Sequence, residues 1–348
     1  MKPTNAFAAL ALLAAPLVAQ DPAKPAALAP GEIVAAAPSA DWTAIAVSDL
    51  LVMDLAPDGK GKPRRVVIQL MPAPFSQGWI GNIRKLAAAQ WWNGTSVNRV
   101  QDNYVVQWGD ASEKKVLPAG LAVVPQSEYL SKFVPGMFKQ RYTAWGKRDA
   151  LQSRGPMVVP PSPAGEAGFA DAYTVNVGFA SGFPIGMTYA GKKGYVDPLT
   201  DKGVDQPDTI WPVHCYGMVG VGRDLPPNTG TGAELYAVIG HAPRHLDRNI
   251  AIVGRVIEGI EHLSALPRGT GPLGFYETAE ERVPIKSVRL LSEMEVDPAP
   301  RYEYLSTTST SFAAYAEARA NRRDPFFIRP AGGADICNIP VPVRRVKL

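Results

Sequence analysis

Two apolar, β-branched runs, Ser48 to Leu55 (SDLLVMDL) and Arg64 to Leu70 (RRVVIQL), stand on either side of APDGKGKP. Runs of this length bounded by Pro and Gly predict two strands joined as a hairpin. Pro72 and Pro74 stop the second strand, and Ile80, Ile83, Leu86, Ala87 and Gln90 then recur at helical spacing, predicting one helix. Two more strand-like pieces follow, TSVNRV and NYVVQW, with Gln101-Asp102-Asn103 as the turn between them. The order is strand, strand, helix, strand, strand.

Residues 111–213 change character, with eleven Pro and twelve Gly scattered through weak periodicity, which marks a large insertion. Its first part, EYLSKFVPGMFKQRYTAWGKRDALQ, has room for a short helix, and Ala172 to Phe179 reads as a strand. Beyond it VHCYGMVGV, ELYAVIG and NIAIVGRVI predict three strands, IEGIEHLSAL a helix of about ten residues, and SVRLLSEM from Ser287 a last strand. The tail from 296 contains one helix-like segment, SFAAYAEARANRR, before Pro-rich sequence that need not be ordered. No internal repeat is visible.

The N-terminus reads as Lys2, an apolar run from Ala6 to Ala15, then Leu17-Val18-Ala19 before Gln20 and Asp21. That is the layout of a secretory signal peptide over residues 1–19, too short to be a permanent membrane span. Residues 20–40, mostly Ala and Pro, read as a semi-extended linker, with the fold expected to begin near Asp41. The expected location is therefore exported, periplasmic or secreted. Segments 41–295 would form the folded body, with residues 111–213 inserted, and 296–348 a C-terminal extension.

Composition adds limits. With 46% hydrophobic and 20% charged residues in 348, the chain can bury a sizeable core and is not a disordered tail. Its net charge of +4 sits in the leader and the tail: Lys2 supplies one, and residues 301–348 carry eight Lys/Arg against four acids. The body is then about neutral, which does not suggest nucleic-acid binding. An oxidising compartment would permit a disulfide between Cys215 and Cys337, but spacing leaves equally open a buried thiol at Cys215 and an unrelated one at Cys337. His241 and His245 are four apart, yet Pro243 between them argues for a loop rather than a helical metal site. No nucleophile elbow or phosphate loop is present.

Three blocks carry candidate chemistry. GTSVNRVQDNYVVQWGD at 94–110 resembles a signature of the cyclophilin family of peptidyl-prolyl isomerases: Arg99 and Gln107 keep that family's arginine and glutamine, while Tyr104 and Val105 take its Phe-Met places. GMVGVGRDLPPNTGTGAELYAVIG at 217–240 is similar to a second family block, with Asn228-Thr229 and Gly232 matching, Val219-Gly220 where the family has Ala-Asn, Glu234 at a Gln place and Tyr236 at an aromatic pocket wall. HLDRNIAIVGRVIEGIEHL at 245–263 looks like a third: Leu246, Asp247, Gly254, Glu258 and Gly259 are retained, His245 replaces Trp and Ile250 replaces a pocket His. Asn98 likewise stands where the family has His.

The resemblance implies a mainly β fold, a closed antiparallel eight-stranded barrel capped by two helices, here carrying the loop-rich insertion and the C-terminal extension. It also implies peptidyl-prolyl cis-trans isomerase activity on X-Pro bonds of exported, proline-containing polypeptides, without cofactor or metal. An X-Pro bond exchanges slowly because C–N resonance sets a barrier of roughly 18–20 kcal/mol. An arginine donor aimed at the prolyl nitrogen weakens that resonance, so Arg99 is the catalytic candidate. Tyr104, Val105, Tyr236 and Leu246 would wall the proline ring, and Gln107 would hold a substrate carbonyl, with Val219, Gly220, Glu234 and His245 completing the pocket. The rival reading is a non-catalytic peptide-binding or scaffold protein on the same barrel, toward which the substitutions at 98, 234, 245 and 250 point. The insertion, leaving after the Gln107 strand and returning before the second block, is expected to pack beside the groove.

Overall fold

The first hairpin forms as its pattern predicts. In a computed structural model of the chain, which describes residues 27–133, 173–174, 176–188, 193–196, 203–205, 208–295, 299–331 and 333–346, the order begins with helix α1 (Pro30–Ala36) and strands β1 (Trp42–Ala44), β2 (Leu50–Leu55) and β3 (Arg64–Leu70). Helix α2 (Gln77–Ala88) and strands β4 (Ser96–Val100) and β5 (Val105–Gly109) follow. The insertion contributes β6 (Ser131–Lys132), β7 (Asn176–Ala180), β8 (Phe183–Thr188), β9 (Lys193–Val196), β10 (Gly203–Asp205) and β11 (Thr209–Pro212). Next come β12 (Met218–Val221), β13 (Leu235–Val238), β14 (Ile252–Glu258), helix α3 (Glu261–Ser264) and β15 (Val283–Leu290). The C-terminal extension supplies β16 (Tyr302–Leu305), α4 (Thr310–Ala320) and β17 (Val343–Arg345). Residues 1–26 and about half of the insertion, including 134–152 of the stretch 128–152 expected to hold a short helix, lie outside the described residues.

Eight strands close a barrel in the order β12-β13-β5-β4-β15-β2-β3-β14, and β14 pairs back onto β12. Every pairing is antiparallel. Closure leaves no open edge and explains why nearly every inward residue is buried. Helix α2 covers the barrel with Trp79, Ile80, Ile83, Leu86 and Ala87, all within the main core. Each large side chain among them is worth about 1.5–3 kcal/mol of burial. Its polar groups are answered by the segment that leads into β13: Trp79 Nε1 donates to the Thr229 and Gly230 carbonyls at 3.1 and 3.0 Å, and Asn82 Nδ2 to Thr231 at 3.0 Å. Trp92, just past the helix, donates to the Ala233 carbonyl at 2.7 Å. Position 234 is thereby set by the covering helix.

The insertion's described strands form a four-stranded sheet, β6-β11-β8-β7, beside the separate β9–β10 pair. Arg255 on β14 joins this sheet to the barrel, donating to Gln69 Oε1 on β3 at 2.9 Å and to the Gly182 carbonyl at 2.8 Å. Its guanidinium also lies over Phe183 of the insertion and Tyr304 of the extension, 4.8 and 5.8 Å from the ring centroids. Burial lowers its pKa to about 10, so it stays charged at neutral pH.

Several expectations change. The segment expected to be a linker contains α1, which packs against α4, so ordered structure starts before Asp41. The ten-residue helix expected at 257–266 is only α3, because β14 runs on through Glu258 and Gly259 turns at φ +83°. A side chain at 259 would meet the Arg65 carbonyl at 2.1 Å. The last strand starts at Val283, four residues earlier than expected, and includes Pro284, whose carbonyl accepts from Ala56 N at 2.8 Å. The Pro-rich end is ordered as well: β17 pairs with β16, and a disulfide joins Cys337 to Cys215, resolving the open question of the two thiols.

Candidate functional site

Alternation along the strands sorts inner from outer residues. On β5, Val106 and Trp108 enter the main core, leaving Val105 and Gln107 to face outward; on β13, Leu235 and Ala237 go inward, leaving Tyr236 and Val238 outside. Register then aligns one row across four strands: Arg99 opposite Gln107, Gln107 opposite Tyr236, Tyr236 opposite Gly220. Between Val97 and Arg99 the pairing shifts, a bulge that places Arg99 in this row while Val97 and Val100 stay in the core.

An apolar cluster separate from the barrel interior lies beside the row. It comprises Val105, Tyr236 and Val238, with Tyr104 and Ile250 packed against them. His245, exposed on the turn that also carries half-buried Leu246, stacks on Tyr104 with ring centroids 6.4 Å apart and planes 11° from parallel. Gly220 lies under Tyr236, where a side chain would meet the ring and hydroxyl at 2.3 Å. Val219 does not belong to this group. Its side chain, 1% exposed, points into the barrel core, because odd positions of β12 face inward next to Ala237.

The polar half is a chain of hydrogen bonds. Arg99 donates through Nε to the Leu273 carbonyl at 2.8 Å, through Nη1 to Gln107 Oε1 at 3.2 Å, and through Nη2 to Gln101 Oε1. Its guanidinium lies over the rings of Tyr104 and Phe275, at 5.7 and 5.2 Å from their centroids. Burial lowers the Arg99 pKa, partly offset by Tyr104. Gln107 Nε2 donates to Glu234 Oε2 at 3.4 Å, and Asn98 Nδ2 reaches the same oxygen at 3.5 Å. Burial raises the Glu234 carboxyl pKa against these donors. Position 234 therefore carries an acid poorly compensated by its surroundings.

Of the residues expected to form the site, Arg99, Tyr104, Val105, Gln107, Gly220, Glu234, Tyr236, His245 and Leu246 gather on one outer face. Phe275 and the Leu273 carbonyl were not anticipated. Their loop, 269–276, follows no hydrophobic period, and only its bridge to Arg99 reveals the role. Also missed was His214, 1% exposed, whose Nε2 lies 2.8 Å from the Tyr236 hydroxyl. The insertion reaches the border of this face, with Tyr173 under Arg244 and Trp211 under Arg248, either side of His245. Among the described residues no group of three or more His, Cys, Asp and Glu could hold a metal, and no helix is long and apolar enough to cross a membrane.

Comparison with known proteins bears on this geometry. Residues 64–292 match the family described as cyclophilin-type peptidyl-prolyl cis-trans isomerase/CLD. The fold is similar to the crystal structure of cyclophilin AquaCyp293 from Hirschia baltica, with a TM-score of 0.57 and 20% identity over 87% of this chain and 93% of that one. No curated protein matches.

Proposed function

Since the chain belongs to the cyclophilin-type peptidyl-prolyl cis-trans isomerase family, we propose that it speeds cis–trans exchange of X-Pro bonds in exported polypeptides and that Arg99 is the catalytic donor. The observation that carries this reading is the row Arg99–Gln107–Tyr236 beside the apolar cluster of Val105, Tyr236, Val238, Tyr104 and Ile250. A proline ring seated on the cluster presents its nitrogen toward the arginine. Guanidinium has five N–H groups, and three are used within the protein, leaving two to meet the nitrogen lone pair. Three hydrogen bonds, with the rings of Tyr104 and Phe275 alongside, hold the guanidinium in place, so little reorganisation accompanies the reaction. Export is supported by the apolar stretch after Lys2 and by the disulfide.

The binding-only reading is favoured by one feature, Ile250, which stands where the family has a pocket His and adds an apolar side chain to the cluster. Exchange rates of a short X-Pro peptide, followed by NMR with the protein and its Arg99→Ala variant, separate the two. Isomerisation that falls on the order of 10²-fold in the variant supports catalysis by Arg99. Peptide binding without acceleration by the unaltered protein refutes it.

A further inference from the structure

Behind the pocket wall lies a buried polar chain that the isomerase reading does not use. His214 Nδ1 and its backbone N both lie 2.9 Å from Asp247 Oδ1, and Asp247 Oδ2 accepts from Arg244 Nε at 2.6 Å. On the other side His214 Nε2 is 2.8 Å from the Tyr236 hydroxyl, and the two rings stack at 10°. The exposures are 1% for His214, 3% for Arg244, 4% for Asp247 and 5% for Tyr236. So much polarity is kept at such depth only where each group is answered.

Chemistry fixes the direction of each bond. Asp247, paired with an arginine, is a carboxylate and only accepts, so Nδ1 of His214 carries the hydrogen. Burial lowers the His214 pKa against the pull of Asp247, which favours the neutral imidazole. Nε2 is then a bare lone pair, and the Tyr236 O–H donates to it. A phenylalanine in this place would pack as well but its far end could rock. Tyr236 is pinned at its far end as well as at its Cβ, and Gly220 leaves no room for an added methyl beneath it.

We propose that His214 and Asp247 are positioning residues for the pocket: they clamp the Tyr236 hydroxyl and so fix the wall against which the substrate's proline ring packs. This rests on the isomerase reading for its effect on rate, but not for its effect on binding. The C-terminal extension takes part, since Cys337 is bonded to Cys215 beside His214 and Asp335 Oδ2 lies 4.0 Å from Arg244 Nη1.

Two experiments test the clamp. Long-range 15N NMR of histidine-labelled protein at pH 7.5 should show His214 neutral and protonated at Nδ1, with the Nε2 signal shifted by Tyr236→Phe; an Nε2–H or doubly protonated ring overturns the proposal. A double-mutant cycle then measures kcat/KM and peptide Kd. His214→Leu should weaken both by about tenfold, the value of one hydrogen bond, chiefly through KM, and His214→Gln, which restores an acceptor, should recover most of it. In a Tyr236→Phe background His214→Leu should add nothing. Equal losses in both backgrounds, or lower thermal stability with unchanged kcat/KM and Kd, would make His214 merely structural and refute the clamp. If the unaltered protein binds peptide without isomerising it, the isomerase reading fails alone and the cycle is decided on Kd. Should His214→Leu not fold, the NMR result and the Tyr236→Phe affinity decide.

Discussion

Removing the Cys215–Cys337 bond should cost more stability than any single side chain in the barrel. The bond joins the segment before β12 to the turn before β17, closing a span of 122 residues. Chain-entropy arithmetic for a loop of that size gives about 5 kcal/mol at 25 °C. Spread over 348 residues at about 2.1 cal/mol/K each, that corresponds to a midpoint lowered by roughly 7 °C. The assay is thermal unfolding by circular dichroism of the oxidised protein, the protein reduced with a thiol, and the Cys215→Ser, Cys337→Ser double variant. Reduced and double-variant proteins should melt together, below the oxidised form, and reduction should not affect the variant. A reduced form melting within about 2 °C of the oxidised one would refute the reasoning, because it would mean that β16, β17 and α4 hold the extension without the bond.

Three further outcomes follow from the site. Burial lets folded Glu234 keep its proton to a higher pH than the unfolded chain does, so its contribution to stability is fully present below the ordinary value of 4.5 and is lost as pH rises through the raised one. Glu234→Gln should therefore raise the melting midpoint by about 2 °C at pH 7.5 and by less at pH 4; an equal gain at both would show that charge burial is not the cause. Gly220→Ala would force a methyl against the clamped Tyr236 ring, costing about 1–3 kcal/mol and weakening proline-peptide affinity, measured by denaturant melts and titration. Arg99→Lys keeps the charge but loses the fork that spans Leu273, Gln107 and Gln101, so exchange NMR should show a deficit nearly as large as that of Arg99→Ala; full activity would mean charge alone suffices.

Local pattern made the barrel readable wherever a strand's own residues set its fate. The β2–β3 hairpin and the β4–β5 pair lie where alternation and turn residues put them. It misled where tertiary contact overrode period: Ile257, Ile260, Leu263 and Leu266 are spaced like a helix, yet the first belongs to a strand. Pro284 hid the start of β15 because a proline reads as a strand's end, although its carbonyl still serves the ladder. Within the site, the resemblance located Arg99, Gln107 and Tyr236, but Val219 could be assigned to the interior only from the register of β12 with β13. His214 had no signal at all, since its partners stand 22 and 33 positions away in the chain.

Arg255 bears on how far the family-matched segment is a separable module. Its guanidinium is shared by a barrel glutamine, an insertion carbonyl and an aromatic ring at position 304, beyond the end of the matched residues. Trimming the chain to 64–292 would strip one side from a buried cation and leave its charge to be solvated by whatever water could enter. The insertion and the extension are thus not appendages on an autonomous barrel.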